Sequence, residues 1–217
     1  VDLNGVSADN HRPDLLGPAL SRVDVLHLNE EEAEILSGMK KEDLIAQQEQ
    51  KKDDNHDNII DKYFKTVTSS LHNDGCAVVL LSLGSRGCCV SVTPDKARLE
   101  QCPPTIRDYW KAGTTVRIPA FAITKESGDG GGVNANGAGD ALFAGFCYAA
   151  VSTFSSIVEG EKQHQYDKVS VEQAGMFASL VARQRCDMKT RDTPKDNAED
   201  IMRMVLKGGN HLPPILD

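Results

Sequence analysis

The sequence of 217 residues has no run that approaches the ~18 apolar residues of a membrane-spanning helix, and its first residues show no signal-peptide pattern. No membrane partner is expected. Positive charge is in short supply: 24 Lys and Arg stand against 32 Asp and Glu, a formal net charge of −8. That balance argues against a nucleic-acid or polyanion-binding surface. The six cysteines (Cys76, Cys88, Cys89, Cys102, Cys147, Cys186) include no Cys-x-x-Cys pair, and the six histidines no His-x-x-His or His-Glu-x-x-His spacing. Neither residue type therefore offers a familiar metal pattern. Most of the cysteines sit among apolar neighbours, as free buried thiols do in a reducing compartment, so a cytoplasmic location is expected. A Walker-type phosphate loop is excluded because no Gly-Lys-Ser/Thr occurs. No internal repeat is present.

What remains is ample for one domain with a core: 40% of the residues are hydrophobic. Short apolar, β-branched runs at 1–4, 23–28, 76–83, 88–92 and 116–123 predict strands. Residues 10–20 are expected as a loop leading into a helix, and helical patterns follow at 30–37 (ended by Gly38), 59–71, 141–151, 169–185 and 198–206. Residues 41–50 have helical propensity, and 47–58 is a strongly polar stretch expected as a solvated, disordered insertion. Residues 94–115, with the lone Trp110, are expected as an irregular surface excursion, 125–132 as a loop, 152–167 as polar connection and 207–217 as a tail. Strands alternating with helices predict a single layered α/β/α domain over 1–217 with a largely parallel central sheet.

The chain is organised around residues 133–146. Gly137-Ala138-Gly139-Asp140 leads into a helix in which, from Ala141 to Val151, only Gly145 lacks an apolar side chain. Such a helix is expected to be buried on all sides. Its first turn presents backbone N–H groups without helical partners, an anion site favoured by the helix dipole. Asp140 stands in the same turn. An anion hole beside a carboxylate base suits phosphoryl transfer to a hydroxyl group. Close helix–sheet packing explains the two glycines equally well at this level. Asn29 and Glu32, at a strand–helix junction, have the spacing of a capping box. Gly84-Ser85-Arg86-Gly87 has the composition of a tight turn between strands.

Gly137-Ala138-Gly139-Asp140 before an apolar helix resembles the C-terminal signature of the ribokinase-like (PfkB) carbohydrate and nucleoside kinases. Two more matches occur in that family's order: Asn29-x-x-Glu32 followed by Ala33-Glu34-Ile35-Leu36-Ser37-Gly38, and Leu81-Ser82-Leu83-Gly84-Ser85-Arg86-Gly87. The resemblance implies a ribokinase-like domain that uses ATP and Mg²⁺ to phosphorylate a small sugar or nucleoside acceptor. It implies Asp140 as catalytic base, Gly137, Ala138 and Gly139 as anion hole, and Glu32 as organiser of waters around Mg²⁺. Nucleotide contacts fall on Asn29, Ser82, Gly84 and Asn136, and a second copy in a homodimer is the expected partner.

The chain departs from the family at two points. Asn134 and Ala135 stand where members usually carry Asp-Thr, so the resemblance does not extend to a monovalent-cation site. The family's N-terminal half, with its Gly-Gly motif, acceptor-binding Asp and lid, has no counterpart after Val1. The chain is thus expected to be the C-terminal part of a longer kinase. A non-catalytic fragment or pseudokinase that binds nucleotide or a partner is the alternative. A dinucleotide-dependent oxidoreductase is disfavoured, because the glycines follow a long loop and fit no Gly-x-Gly-x-x-Gly register.

Overall fold

The computed structural model describes residues 18–40, 56–123, 133–152, 154–156, 165–187, 197–208 and 212–215. The strand expected at 1–4, the helical propensity at 41–50, most of the 47–58 insertion and the 125–132 loop lie outside them. Strand β1 (Val25–Asn29) leads into helix α1 (Glu30–Ser37), and α2 (His56–Asn73) into β2 (Val78–Ser82). Strand β3 (Cys88–Val92) is followed by the short helices α3 (Lys96–Leu99) and α4 (Pro104–Arg107), then by β4 (Thr115–Ile118). Helix α5 (Ala138–Val151) precedes a small pair of strands, β5 (Phe154–Ser156) and β6 (Gln165–Asp167). Helices α6 (Val171–Cys186) and α7 (Ala198–Lys207) follow.

The four main strands lie in the order β1-β2-β3-β4. β1 and β2 are parallel, in register from Val25↔Val78 to Asn29↔Ser82. β2–β3 and β3–β4 are antiparallel, so the described sheet is mixed where a largely parallel one is expected. The connections decide this. Parallel neighbours need a crossover of a dozen or more residues, which the segment carrying α1 and α2 supplies. Between β2 and β3 there are only five residues, and they close on themselves: Leu83 N–H donates to Gly87 O at 2.8 Å and Gly87 N–H to Gly84 O at 3.2 Å. Gly84 (φ +61°) and Gly87 (φ +88°) supply the positive φ values of this turn.

β2 separates two cores, and its side chains alternate between them. Val79 and Leu81 join Leu26, Leu28 and Cys89 under Tyr63, Phe64, Val67 and Leu71 of α2. Val78 and Leu80 join Val90, Val92 and Ile118 under Phe146 of α5 and Phe177 of α6. Burial on both faces is why this strand reads as a continuous apolar run. Each fully buried Val, Leu or Phe contributes roughly 1.5–3 kcal/mol, so both layers are needed to hold the sheet. Gly175 brings α6 close to the sheet, because a Cβ there would lie 2.6 Å from Ile118 Cγ1.

The structure corrects four local expectations. The 94–115 segment is not a surface excursion: it carries α3 and α4, and Trp110 is only 3% exposed. Its indole is too large to leave in water, packs on Phe146 at 5.6 Å and donates Nε1–H to Val169 O at 2.9 Å. The 152–167 connection contains the β5–β6 antiparallel pair. Helix α2 begins at His56, inside the polar stretch. Finally, α5 is not buried all round. Asp140, Ala144, Tyr148 and Val151, spaced at helical intervals, form an exposed face, and Val151 is 59% exposed. The six cysteines are free, with Cys76, Cys88, Cys89 and Cys102 buried. Burial pushes the Cys76 thiol up to about 12 and Cys102 to about 11, so both stay protonated at neutral pH. Among the described residues no helix is long and apolar enough to cross a membrane.

One polar link across the layers is pH-sensitive. His72 of α2 places Nδ1 2.8 Å from Cys76 O and Nε2 2.9 Å from the Ser91 hydroxyl of β3. A carbonyl only accepts, so Nδ1 carries the proton and neutral Nε2 accepts from Ser91. Burial holds the His72 pKa below its ordinary value of 6.5. The unfolded chain therefore takes up a proton as pH falls below about 6.5 while the folded chain resists. Stability from this site is full above that pH and is lost as pH falls towards the folded value. We expect urea midpoints to drop less between pH 7.5 and 5.5 in His72→Gln than in the wild type. Equal drops would remove His72 from the acid response.

Candidate functional site

Asn29 ends β1 and caps α1. Its Oδ1 accepts from Glu32 N–H and its own N–H donates to Glu32 Oε2, both at 2.8 Å, the reciprocal pair of a capping box. Gly38, with φ +68°, ends the helix. Glu32 is buried at 4% exposure, and its second oxygen, Oε1, makes no hydrogen bond among the described residues. The capping role expected from the spacing is therefore present, and one carboxylate oxygen remains outside it.

The register of the parallel pair sets Ser82 opposite Asn29 at the carboxyl ends of β1 and β2. That is the edge where open α/β sheets bind ligands. The Ser82 hydroxyl donates to Leu28 O at 3.2 Å, tying the two strand ends together. Beyond it, Arg86 Nη2 forms an ion pair with Glu30 Oε2. The Ser82–Gly87 turn and the Asn29–Glu32 cap are thus joined, although more than fifty residues separate them. Gly84 is exposed, and a Cβ there would meet nothing within 4 Å, so the turn leaves open space at this edge.

The third motif is held from behind by the end of α6. Val133 bridges to Asp187, and Asn134 N–H donates to Cys186 O at 2.9 Å. Asn134 Oδ1 then accepts from Asn136 N–H at 2.9 Å, a local Asx turn. Gly137, at φ +76°, is the N-cap, and Ala138, Gly139 and Asp140 form the first turn of α5. This turn sits on β1: a Cβ on Gly139 would lie 3.4 Å from His27 Cε1, and the His27 ring stacks on Phe143 at 5.6 Å. Asp140 and Asn136 are exposed.

The expected three-donor hole needs one correction. Ala138 N–H donates to Ala135 O at 3.0 Å, because the chain tightens into an i→i−3 turn before the helix starts. The Gly139 N–H makes no such bond among the described residues. Two residues that sequence reasoning passed over belong here. His27 is an isolated polar residue in an apolar strand, which was a usable signal. Arg185, which packs on Gly137, carried none. Among the described residues no group of three or more His, Cys, Asp or Glu could hold a metal ion.

No protein-family model matches the chain, and no curated protein matches it. Solved structures do. The ribokinase of Giardia lamblia aligns with a TM-score of 0.54 at 16% identity, over 95% of this chain and 49% of that one. The aminoimidazole riboside kinase of Salmonella enterica gives 0.53 at 15% identity, over 96% and 51%. The fructokinase of Vibrio cholerae O395, solved with fructose, ADP and a calcium ion, gives 0.51 at 15%, over 93% and 48%. The chain therefore has a ribokinase-like α/β fold and spans about half the length of these kinases.

Proposed function

We propose that this chain is the nucleotide-binding and catalytic part of an ATP-dependent kinase that phosphorylates a hydroxyl of a sugar or nucleoside. One observation carries the reading: three motifs far apart in sequence meet around β1 and the start of α1. Asn29 faces Ser82 in register, Arg86 pairs with Glu30, and the first turn of α5 packs on His27. In this reading Asp140 accepts the proton of the acceptor hydroxyl as its oxygen attacks the terminal phosphorus. The bond to the ADP oxygen breaks, and the Gly139 N–H donates to the phosphoryl oxygens, with Gly137 shaping the turn. Open space at Gly84, with Ser82, Asn29 and Asn136 around the edge, accommodates the nucleotide.

The donor set fits Mg²⁺ only indirectly. Glu32 offers one uncommitted carboxylate oxygen, and Mg²⁺ keeps several waters and binds mainly to phosphates. Glu32 Oε1 would hold such a water, and the ion would offset charge on the β- and γ-phosphates. Asn134 is engaged in its Asx turn, so no monovalent-cation role is assigned to it.

The test is ADP release from MgATP by the purified chain across ribose, fructose phosphates, adenosine and pseudouridine. Acceptor-dependent release is expected with a nucleoside or a ribose-like sugar. The second reading, nucleotide binding without transfer, draws on the engaged Ala138 N–H, which leaves fewer donors for a transition state. Saturable MgATP binding with no release from any acceptor would establish that second reading instead.

A further inference from the structure

We infer that Arg185 is a phosphate ligand of the glycine turn, an inference that rests on the nucleotide reading above. The end of α6 and the loop into α5 run side by side, held by Val133↔Asp187 and by Asn134 N–H to Cys186 O. Arg185, in the last turn of α6, lies against the N-cap glycine. A Cβ on Gly137 would be 3.2 Å from Arg185 Nε and 3.3 Å from Nη2. The guanidinium therefore sits beside the N-terminus of α5, whose first turn also carries Asp140.

Most of the other described arginines are engaged, Arg22 being another without a side-chain partner among the described residues. Arg86, Arg98, Arg117 and Arg203 each pair with a carboxylate, and Arg183 donates to Ala122 O. Arg185 has neither kind of partner among the described residues. A guanidinium without a carboxylate hydrogen-bond partner among the described residues, set beside the glycine turn, gains from an anion that both can bind. A phosphate group is such an anion. The planar fork of a guanidinium matches phosphate oxygens in two-pronged geometry, while the Gly139 N–H donates to the same group from the turn. Arg185 thereby restores a charged donor where the engaged Ala138 N–H leaves the turn short.

The experiment is calorimetric titration of MgATP, and separately of inorganic tripolyphosphate, into the wild type, Arg185→Gln and Arg185→Lys, each checked for a cooperative thermal melt. Arg185→Gln is expected to bind both ligands roughly tenfold more weakly and with a shallower dependence on salt. Arg185→Lys, which keeps the charge and loses the fork, is expected to be at least about threefold weaker than wild type. Wild-type affinity in Arg185→Gln overturns the inference, as does wild-type affinity in Arg185→Lys should only that variant fold. A wild type that binds and transfers normally beside an unaffected variant sinks the Arg185 role alone. A wild type that binds neither ligand sinks the nucleotide reading with it.

Discussion

Asp140→Asn is expected to lower acceptor-dependent ADP release by ~10²–10⁴-fold, the usual worth of a positioned general base. MgATP binding should survive, because the variant removes a negative charge and no phosphate donor. The fold should barely notice. Asp140 is exposed in the first turn of α5, where a carboxylate is worth roughly 0.3–1 kcal/mol against the helix dipole. Asn keeps the shape of the side chain and loses its charge and basicity. The diagnostic pattern is a collapse in kcat with nucleotide affinity and thermal midpoint nearly unchanged. Wild-type turnover in Asp140→Asn would remove this residue from the chemistry.

The largest loss of stability is expected from Gly87→Ala. Gly87 has φ +88° and ψ −136°, a region that side-chain-bearing residues avoid at a cost of about 1–3 kcal/mol. Space is the second problem. A Cβ would overlap the Ile118 carbonyl oxygen and lie 2.6 Å from Pro119 C and 2.7 Å from Ala120 N. These are backbone atoms at the end of β4, so no rotamer change relieves the clash and the strand itself must move. We expect a total cost of about 3 kcal/mol or more, a large share of a typical 5–15 kcal/mol. For a chain of this size that is roughly 6–12 °C in Tm.

Gly84→Ala is the matched control. Its φ is also positive, at +61°, but its Cβ would enter open space. Only the cost of a left-handed backbone remains, about 1–2 kcal/mol. If Gly87→Ala melts no lower than Gly84→Ala, crowding by Ile118 is not what the glycine relieves. Because Arg86 sits between the two glycines and pairs with Glu30, displacement of this turn should also disturb the sheet edge. Nucleotide affinity is therefore expected to fall in Gly87→Ala even at temperatures where it is folded.

Much of the candidate site was legible before any tertiary contact was known. The capping box of Asn29 and Glu32, the helix end at Gly38, the turn from Gly84 to Gly87 and the helix start at Gly137–Asp140 all appear where spacing puts them. These features rest on hydrogen bonds between residues two to four apart and on φ values that glycine favours. Such causes are local, so residue order carries them. Alternating strands and helices likewise sufficed for an α/β fold, and the apolar run at Val78–Ser82 for a strand covered on both faces.

The rest depended on which surfaces meet. Trp110 could be placed inside only once Phe146 and the Val169 carbonyl were found beside it. The apolar composition of α5 predicts complete burial, yet packing against α6 and the sheet leaves Ala144, Tyr148 and Val151 exposed. The His27 contact with Gly139 and the seat of Arg185 on Gly137 join residues more than forty positions apart. By itself the sequence determined the short-range devices: caps, turns, helix starts and the alternation of layers. Only the tertiary structure decided the place of β4 in the sheet, the open face of α5 and the charge beside the glycine turn. No periodicity or spacing encodes a contact between distant segments, because it forms only when the whole chain packs.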